Sequence, residues 1–262
     1  MNLILLHQHE IDANGTITLQ DRRAKHICEI IKPAVGDTLS TGIIDATIGQ
    51  ARVLAISASD DYSVTLDIAE LSQLSLNTQQ FQKTNQQTLP QALDITLIIA
   101  LPRPKVARRL VRLCVECGVK TIYFINSYRV EKSFWQSPML HEEKFNEQII
   151  LGLEQCKDTI WPSVSMHKRF KPFVEDQLPD IIKDKQALVA HPYQPEIDIS
   201  TDQQALTQLQ KNAPVIVIGP EGGFIPYEIE LLQKTGLKTM SLGKRIYRVE
   251  TVVPLLLGKL GL

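Results

Sequence analysis

Hydrophobic and polar positions along the chain follow two rhythms. Residues 36–45, 49–59 and 62–71 are short runs of alternating or β-branched residues broken by Gly, Asp and Ser, which predicts strands. Residues 19–32 have helical spacing and close at Pro33. A small β-barrel domain is therefore expected over residues 1–72. Residues 72–91 are rich in Gln, Asn, Ser and Thr and keep no period, which predicts a linker over 73–92. From residue 93 the apolar runs lengthen. Residues 92–101, 119–127, 186–191, 214–219 and 237–243 read as strands, and 105–118, 141–156, 202–210, 225–236 and 249–260 as helices. Continuous apolar strands alternating with helices predict an α/β fold, a mostly parallel sheet covered on both faces, over 93–262. Pro254 is expected in the first turn of the last helix, where N–H groups lack partners in any case.

Composition narrows the class. The 262 residues are 44% hydrophobic, enough for one large domain or two smaller ones. The opening apolar run is too short for a signal-peptide core or a membrane span. Cys114 and Cys117 form a C-x-x-C, but inside a helical pattern and with no second pair, so they read as core residues and no metal is expected. Unpaired cysteines fit a reducing, cytoplasmic setting. The net charge of -1 advertises no polyanion partner, yet residues 1–72 hold 5 Lys+Arg against 10 Asp+Glu, and residues 93–262 hold 22 against 19. Any polyanion contact must be local.

The most informative stretch is Pro214 to Leu232, where four apolar residues lead into Gly219-Pro220-Glu221-Gly222-Gly223 and then a helix. A strand, a glycine turn and a helix N-terminus make a ligand site in open α/β sheets. Neither G-x-x-x-x-G-K-[ST] nor G-x-G-x-x-G is present, and a carboxylate in the turn repels phosphate. A ligand with positive charge or N–H and O–H donors suits it better. Residues 241–251 repeat the arrangement after the next strand and carry Arg245, Arg248 and Glu250; Lys244 reads as solvated. Two such loops, at the ends of neighbouring strands, are expected to form one crevice.

"IGPEGGF" followed by "SLGKRIYRVET" resembles the RsmE family of 16S ribosomal RNA methyltransferases, in the SPOUT superfamily. "DRRAKHICEIIKPAVGDTL", "ALPRPKVARRLVRLCVECGV" and "EQCKDTIWP" are similar to further segments of that family, which extends the likeness over nearly the whole chain. Lys157 and Asp158 depart from its usual Gly and Arg. The resemblance implies a PUA-like RNA-binding barrel at the N-terminus and a sheet domain whose C-terminal end forms a trefoil knot. It implies S-adenosylmethionine as cofactor, a homodimer, and transfer to N3 of a uridine in 16S rRNA of the small subunit, giving 3-methyluridine.

On this resemblance His191, Gly219, Glu221, Gly222, Ser241, Leu242, Gly243 and Ile246 border the cofactor. His191 also reads as a strand-end histidine with no role. Arg248 is the candidate for stabilising the developing oxyanion, with Glu221 or Glu250 deprotonating the base or orienting the arginine. For RNA, Arg103, Lys105, Arg108, Arg109 and Arg112 form a run with no acid among them. Lys105, Arg108, Arg109 and Arg112 are expected on one helix face, opposite Val106, Leu110, Leu113 and Cys117. Arg23, His26 and Arg245 are further RNA candidates. Two competing readings are a non-catalytic RNA-binding assembly factor and a methyltransferase for another RNA site.

Overall fold

The computed structural model describes residues 3–58, 61–71, 89–193 and 195–260. Two compact units divide the chain: Met1–Gln91 with Ile150–Trp161, and Ala92–Ile149 with Pro162–Leu262. Most of the expected linker, residues 72–88, lies outside the described residues.

The first unit holds β1 (Ile4–Leu6), β2 (Thr16–Leu19), β3 (Thr38–Ile43), β4 (Ile48–Ser57) and β5 (Ser63–Asp67), in the order β1-β3-β4-β5-β2. β1 lies parallel to β3 and the other pairs are antiparallel. Alternation sets the faces: Ile17 and Leu19 of β2 and Val64 and Leu66 of β5 enter the core. Among the described residues β1 and β2 pair with nothing on their outer sides, so the small barrel expected is seen there as an open half-barrel.

Helix α1 (Arg22–His26) starts at Asp21, whose carboxylate accepts the Arg23 N–H at 2.8 Å. A wider turn over Ile27–Ile31 follows and stops at Lys32, left-handed at φ 53°, ahead of Pro33. Arg23 is only 8% exposed. Its guanidinium donates to the Leu5 carbonyl at 2.8 Å, to both Glu10 oxygens at 3.0 and 2.5 Å, and to Asp21 at 3.0 Å. A group so enclosed is a structural tie within the first unit. His26, half-buried in α1, has its imidazole pushed below the usual range by burial.

Residues 150–161 return to this unit. Asp45 N–H donates to the Thr159 carbonyl at 2.9 Å, and Trp161 N–H to the Asp45 carboxylate at 2.8 Å. Glu154 is 1% exposed and accepts from Arg22 at 2.8 Å. Burial pushes its carboxyl above the usual range, and Arg22 offsets only part of that.

The second unit is a seven-stranded sheet, parallel throughout, in the order β10-β12-β9-β11-β6-β7-β8. Its strands are β6 (Leu93–Ala100), β7 (Val119–Ile125), β8 (Ser163–His167), β9 (Ala187–Ala190), β10 (Ile197–Asp198), β11 (Val215–Ile218) and β12 (Lys238–Ser241). All four residues of β11, flanked by β6 and β9, are buried, as a continuous apolar run requires. β8 and β10 were not expected: they are the two edges, short, with few fully apolar positions.

The helices are α2 (Pro104–Glu116), α3 (Glu142–Cys156), α4 (residues 170–181), α5 (Gln203–Lys211), α6 (Pro226–Lys234) and α7 (Val249–Leu260). From Ile150 onward α3 belongs to the first unit. In α2 the buried stripe is Ala107, Leu110, Val111, Cys114 and Val115. The expected apolar face is thus rotated, and Val106, Leu113 and Cys117 are half-buried flanks. Small Ala107 and Cys114 fill the i, i+7 positions of the true stripe. Pro254 is the sixth residue of α7, just past the first turn where it was expected, and it removes the bond that would reach the Glu250 carbonyl.

The Arg23 cluster generates a pH-dependent prediction. Burial alone raises the Glu10 and Asp21 carboxyls, but Arg23's hydrogen bonds and charge outweigh it and hold both below the usual carboxylate range. Groups depressed in the fold contribute fully above the unfolded pKa near 4 and lose that contribution as pH falls through the folded value. Arg23→Met is therefore expected to cost about 2 kcal/mol at pH 7. Urea unfolding at pH 7 and pH 3.5 checks it, with the wild-type advantage shrinking in acid.

Candidate functional site

Three loops at the C-terminal ends of β9, β11 and β12 enclose one cavity of about 550 Å³. β11 and β12 are not neighbours, as the sequence had suggested. β9 runs between them, so the His191 loop is the middle wall.

The first wall is the turn after β11. Gly223, at φ 71°, closes it by donating its N–H to the Pro220 carbonyl at 2.8 Å. Phe224 folds back and is buried, so close to Gly219 that a Cβ there would lie 3.2 Å from its ring. Helix α6 then begins with Pro226 in its first turn, which suits proline's fixed φ. Glu228 lies at the third position of α6, 2% exposed. One of its oxygens accepts the Ile225 N–H at 3.0 Å, and the other accepts the Tyr128 N–H at 2.7 Å from the loop after β7. One buried carboxylate therefore caps a helix and staples a second loop to it.

The second wall follows β12. Ser241 Oγ accepts the Gly243 N–H at 3.3 Å, and Gly243 takes φ 105°. A Cβ at Gly243 would press on Ser200 at 3.2 Å, so the site requires glycine twice over. The chain then enters α7, with the Arg248 carbonyl accepting from Thr251 and Val252 at 2.9 Å each. In the middle wall His191 donates its N–H to the Met240 carbonyl at 2.8 Å, and Tyr193 stands edge-on to it at 5.6 Å. Burial pushes the His191 imidazole below its usual range, which favours the neutral ring.

All eight sequence candidates for the cofactor line this cavity: His191, Gly219, Glu221, Gly222, Ser241, Leu242, Gly243 and Ile246. Arg245 lines it too. Arg248 is exposed and Glu250 half-buried beside it, and neither reaches the lining. Glu221 has a structural partner, for its carboxylate accepts the Arg103 N–H at 3.2 Å at the start of α2. An anion there also meets the positive end of the helix dipole. Arg129, Glu230 and Phe224 line the cavity without having been singled out. No local motif marks Arg129 or Glu230, whereas Phe224 lay inside the quoted turn. The charged lining is thus mixed, with Arg129 and Arg245 against Glu221 and Glu230. Ile218, Met240 and Val249 supply apolar surface. Such a site suits a ligand carrying both signs and an apolar body.

The cationic run on α2 separates on inspection. Arg108 pairs with Glu147 at 3.6 Å and Arg112 with Glu116 at 2.8 Å. Arg103, Lys105 and Arg109 remain exposed, with no ion pair among the described residues. No group of His, Cys, Asp and Glu among the described residues could hold a metal ion, and no helix there is long and apolar enough to cross a membrane.

Known proteins match this arrangement. The family model for an RNA methyltransferase domain matches residues 89–261. The ribosomal RNA small subunit methyltransferase E of Treponema pallidum is 26% identical over 254 residues, covering 96% of this chain and 87% of that protein. Its counterpart E 1 of Borreliella burgdorferi is 24% identical, covering 96% and 93%. A ribosomal RNA small subunit methyltransferase E of Neisseria gonorrhoeae, solved with S-adenosyl methionine bound, aligns with a TM-score of 0.67 at 16% identity, covering 98% of this chain and 95% of that one. A Legionella pneumophila protein described as a methyltransferase, in complex with the same cofactor, gives 0.69 at 19%, covering 99% and 96%. These two structures share the fold.

The double staple makes Glu228 a structural anchor of the site. Glu228→Ala leaves two N–H groups without acceptors and is expected to lower stability by about 2–3 kcal/mol. Glu228→Gln, with one acceptor oxygen, falls between. Chemical unfolding of the three proteins checks the order.

Proposed function

The chain belongs to the RNA methyltransferase domain family, and we propose that it transfers a methyl group from S-adenosylmethionine to N3 of a uridine in the 16S rRNA of the small ribosomal subunit. The observation that carries this reading is the cavity of about 550 Å³ bounded by two glycine loops and the His191 loop. Relatives named for small-subunit rRNA methylation along nearly the full chain support the substrate class. On this reading the first unit is a PUA-like RNA-binding module, the C-terminal loops form a trefoil knot, and the enzyme works as a cytoplasmic homodimer.

The residues present fit the cofactor. Backbone groups around Gly219, Gly222, Leu242 and Gly243 are exposed to the cavity because three of the four lack side chains, which lets a planar base and a ribose approach closely. Glu221 and Glu230 offer acceptors to hydroxyl and amino groups, and Arg245 offers a donor to a carboxylate. When bound, S-adenosylmethionine supplies an electrophilic methyl group on a positive sulfonium. The neutral His191 ring places no second positive charge against it.

The acceptor's N3–H is about as weakly acidic as a lysine or tyrosine side chain, so its proton must leave and the resulting charge must be held. Arg248 holds the charge spreading onto the uracil oxygens. Glu250, in the first turn of α7, takes the proton or orients that arginine. Glu221 is the second carboxylate, less free because it already accepts from Arg103. Arg103, Lys105 and Arg109 contact the RNA backbone, and the paired Arg108 and Arg112 contribute less.

Incubating the protein with isotope-labelled S-adenosylmethionine and small subunits lacking the modification is expected to place label in 3-methyluridine, read by mass spectrometry of digested rRNA. Cofactor binding without label would redirect the reading to another RNA or to a binding-only factor. Arg248→Ala is expected to lose about 100-fold or more in turnover while keeping cofactor affinity; equal loss of both would give it a structural role. Cofactor affinity is expected to fall only at pH values below the ordinary histidine value near 6.5, as His191 gains its proton, since burial lowers its folded pKa. Calorimetric titration across that range checks the direction, and His191→Asn removes the dependence.

A further inference from the structure

Arg129 belongs to none of the motifs that mark the site, yet it touches the centre of the glycine turn. It follows β7, which is separated from β11 by β6. Its guanidinium Nη1 donates to the Gly222 carbonyl. Its stem lies over Gly222 on the face where a side chain would stand, so that a Cβ there would come within 2.9 Å of Arg129 Cδ. The backbone beneath the arginine is itself fixed: Tyr128 N–H is held by buried Glu228 at 2.7 Å, and Ser127 and Val130 are buried on either side. The same side chain lines the cavity.

We propose that Arg129 is a positioning residue for the bound cofactor, acting through the Gly222 carbonyl. The inference rests on the functional reading above and deepens it. A glycine turn owes its usefulness to peptide groups that approach a ligand, and its weakness to their freedom to rotate. Apart from the contacts of Arg129, the described bonds within residues 219–223 are the Gly223 N–H to Pro220 carbonyl bond and the Arg103 N–H to Glu221 bond. The first of these holds the peptide that carries the Gly222 carbonyl, but from within the turn itself. A charged donor anchored on a separate loop ties that peptide to the rest of the fold, and it pre-orients the turn before the ligand arrives. The close fit of stem and glycine also gives Gly222 a reason to lack a side chain although its backbone is not left-handed.

S-Adenosylhomocysteine, which binds without reacting, is the probe, titrated calorimetrically into wild type, Arg129→Ala, Arg129→Lys, Gly222→Ala and the double alanine variant. Arg129→Ala is expected to weaken binding about tenfold. Arg129→Lys recovers part of that, because an ammonium can still donate to a carbonyl. Gly222→Ala weakens binding by displacing the arginine, and the double variant is little worse than either single one. Unfolding of the ligand-free Arg129→Ala protein matches wild type, since Glu228 still holds the loop. Unchanged affinity in Arg129→Ala, with only the KM for rRNA raised, would overturn the proposal in favour of direct RNA contact. An affinity loss matched by an equal loss of ligand-free stability would overturn it in favour of a folding role. Absence of binding by the wild type is a different failure, that of the cavity's reading as a cofactor site.

Discussion

A single buried carboxylate organises the candidate site. Glu228 gives one oxygen to the N–H at the start of α6 and the other to the loop after β7. A charge 2% exposed is costly unless both oxygens are satisfied, and here backbone donors do that without a counter-charge. The glycine turn hangs between its strand and this anchored helix. The Tyr128–Arg129 loop reaches the turn because the same anchor holds it. The shape of the cavity's first wall follows from one side chain that never faces the cavity.

Strand order supplies the second constraint. In a parallel sheet every strand delivers its following loop to the same edge. β9 runs between β11 and β12, so three loops meet there although they are far apart in sequence. The balance of charge in the cavity comes from different loops and a helix: Arg129 after β7, Glu221 after β11, Glu230 on α6, Arg245 after β12. No one segment carries it. A pocket with both signs and a neutral imidazole can accept a zwitterion with a cationic centre, whereas a uniformly basic one would favour phosphate.

The first unit uses its cations differently. Arg23 sits among Glu10, Asp21 and a carbonyl, and Arg22 meets buried Glu154 on the returning segment. Two cations of the basic cluster thus serve internal ties. On α2 the same division appears within one helix: Arg108 and Arg112 have acidic partners, while Arg103, Lys105 and Arg109 do not. Basic residues near the site therefore differ in availability, and exposure rather than count distinguishes them.

The sequence by itself determined the alternation of strand and helix, the parallel character of the second sheet and both glycine loops. Each is written in local chemistry: the unbroken apolar run of β11, the glycines that alone tolerate φ 71° and 105°, and the proline that opens α6. The eight residues expected to line the cavity were legible for the same reason, since they sit on the motifs themselves. The edge strands β8 and β10 were not, because an edge position needs little hydrophobicity. The helical rotation of α2 was misjudged because half-buried Val106 and Leu113 carry more apolar signal than buried Ala107. Only the tertiary structure placed β9 between the two glycine strands, sent residues 150–161 back to the first unit, enclosed Arg23 and brought Arg129 onto Gly222. Those facts depend on contacts between residues distant in sequence, and no local pattern encodes which distant partner a charged or small residue will meet.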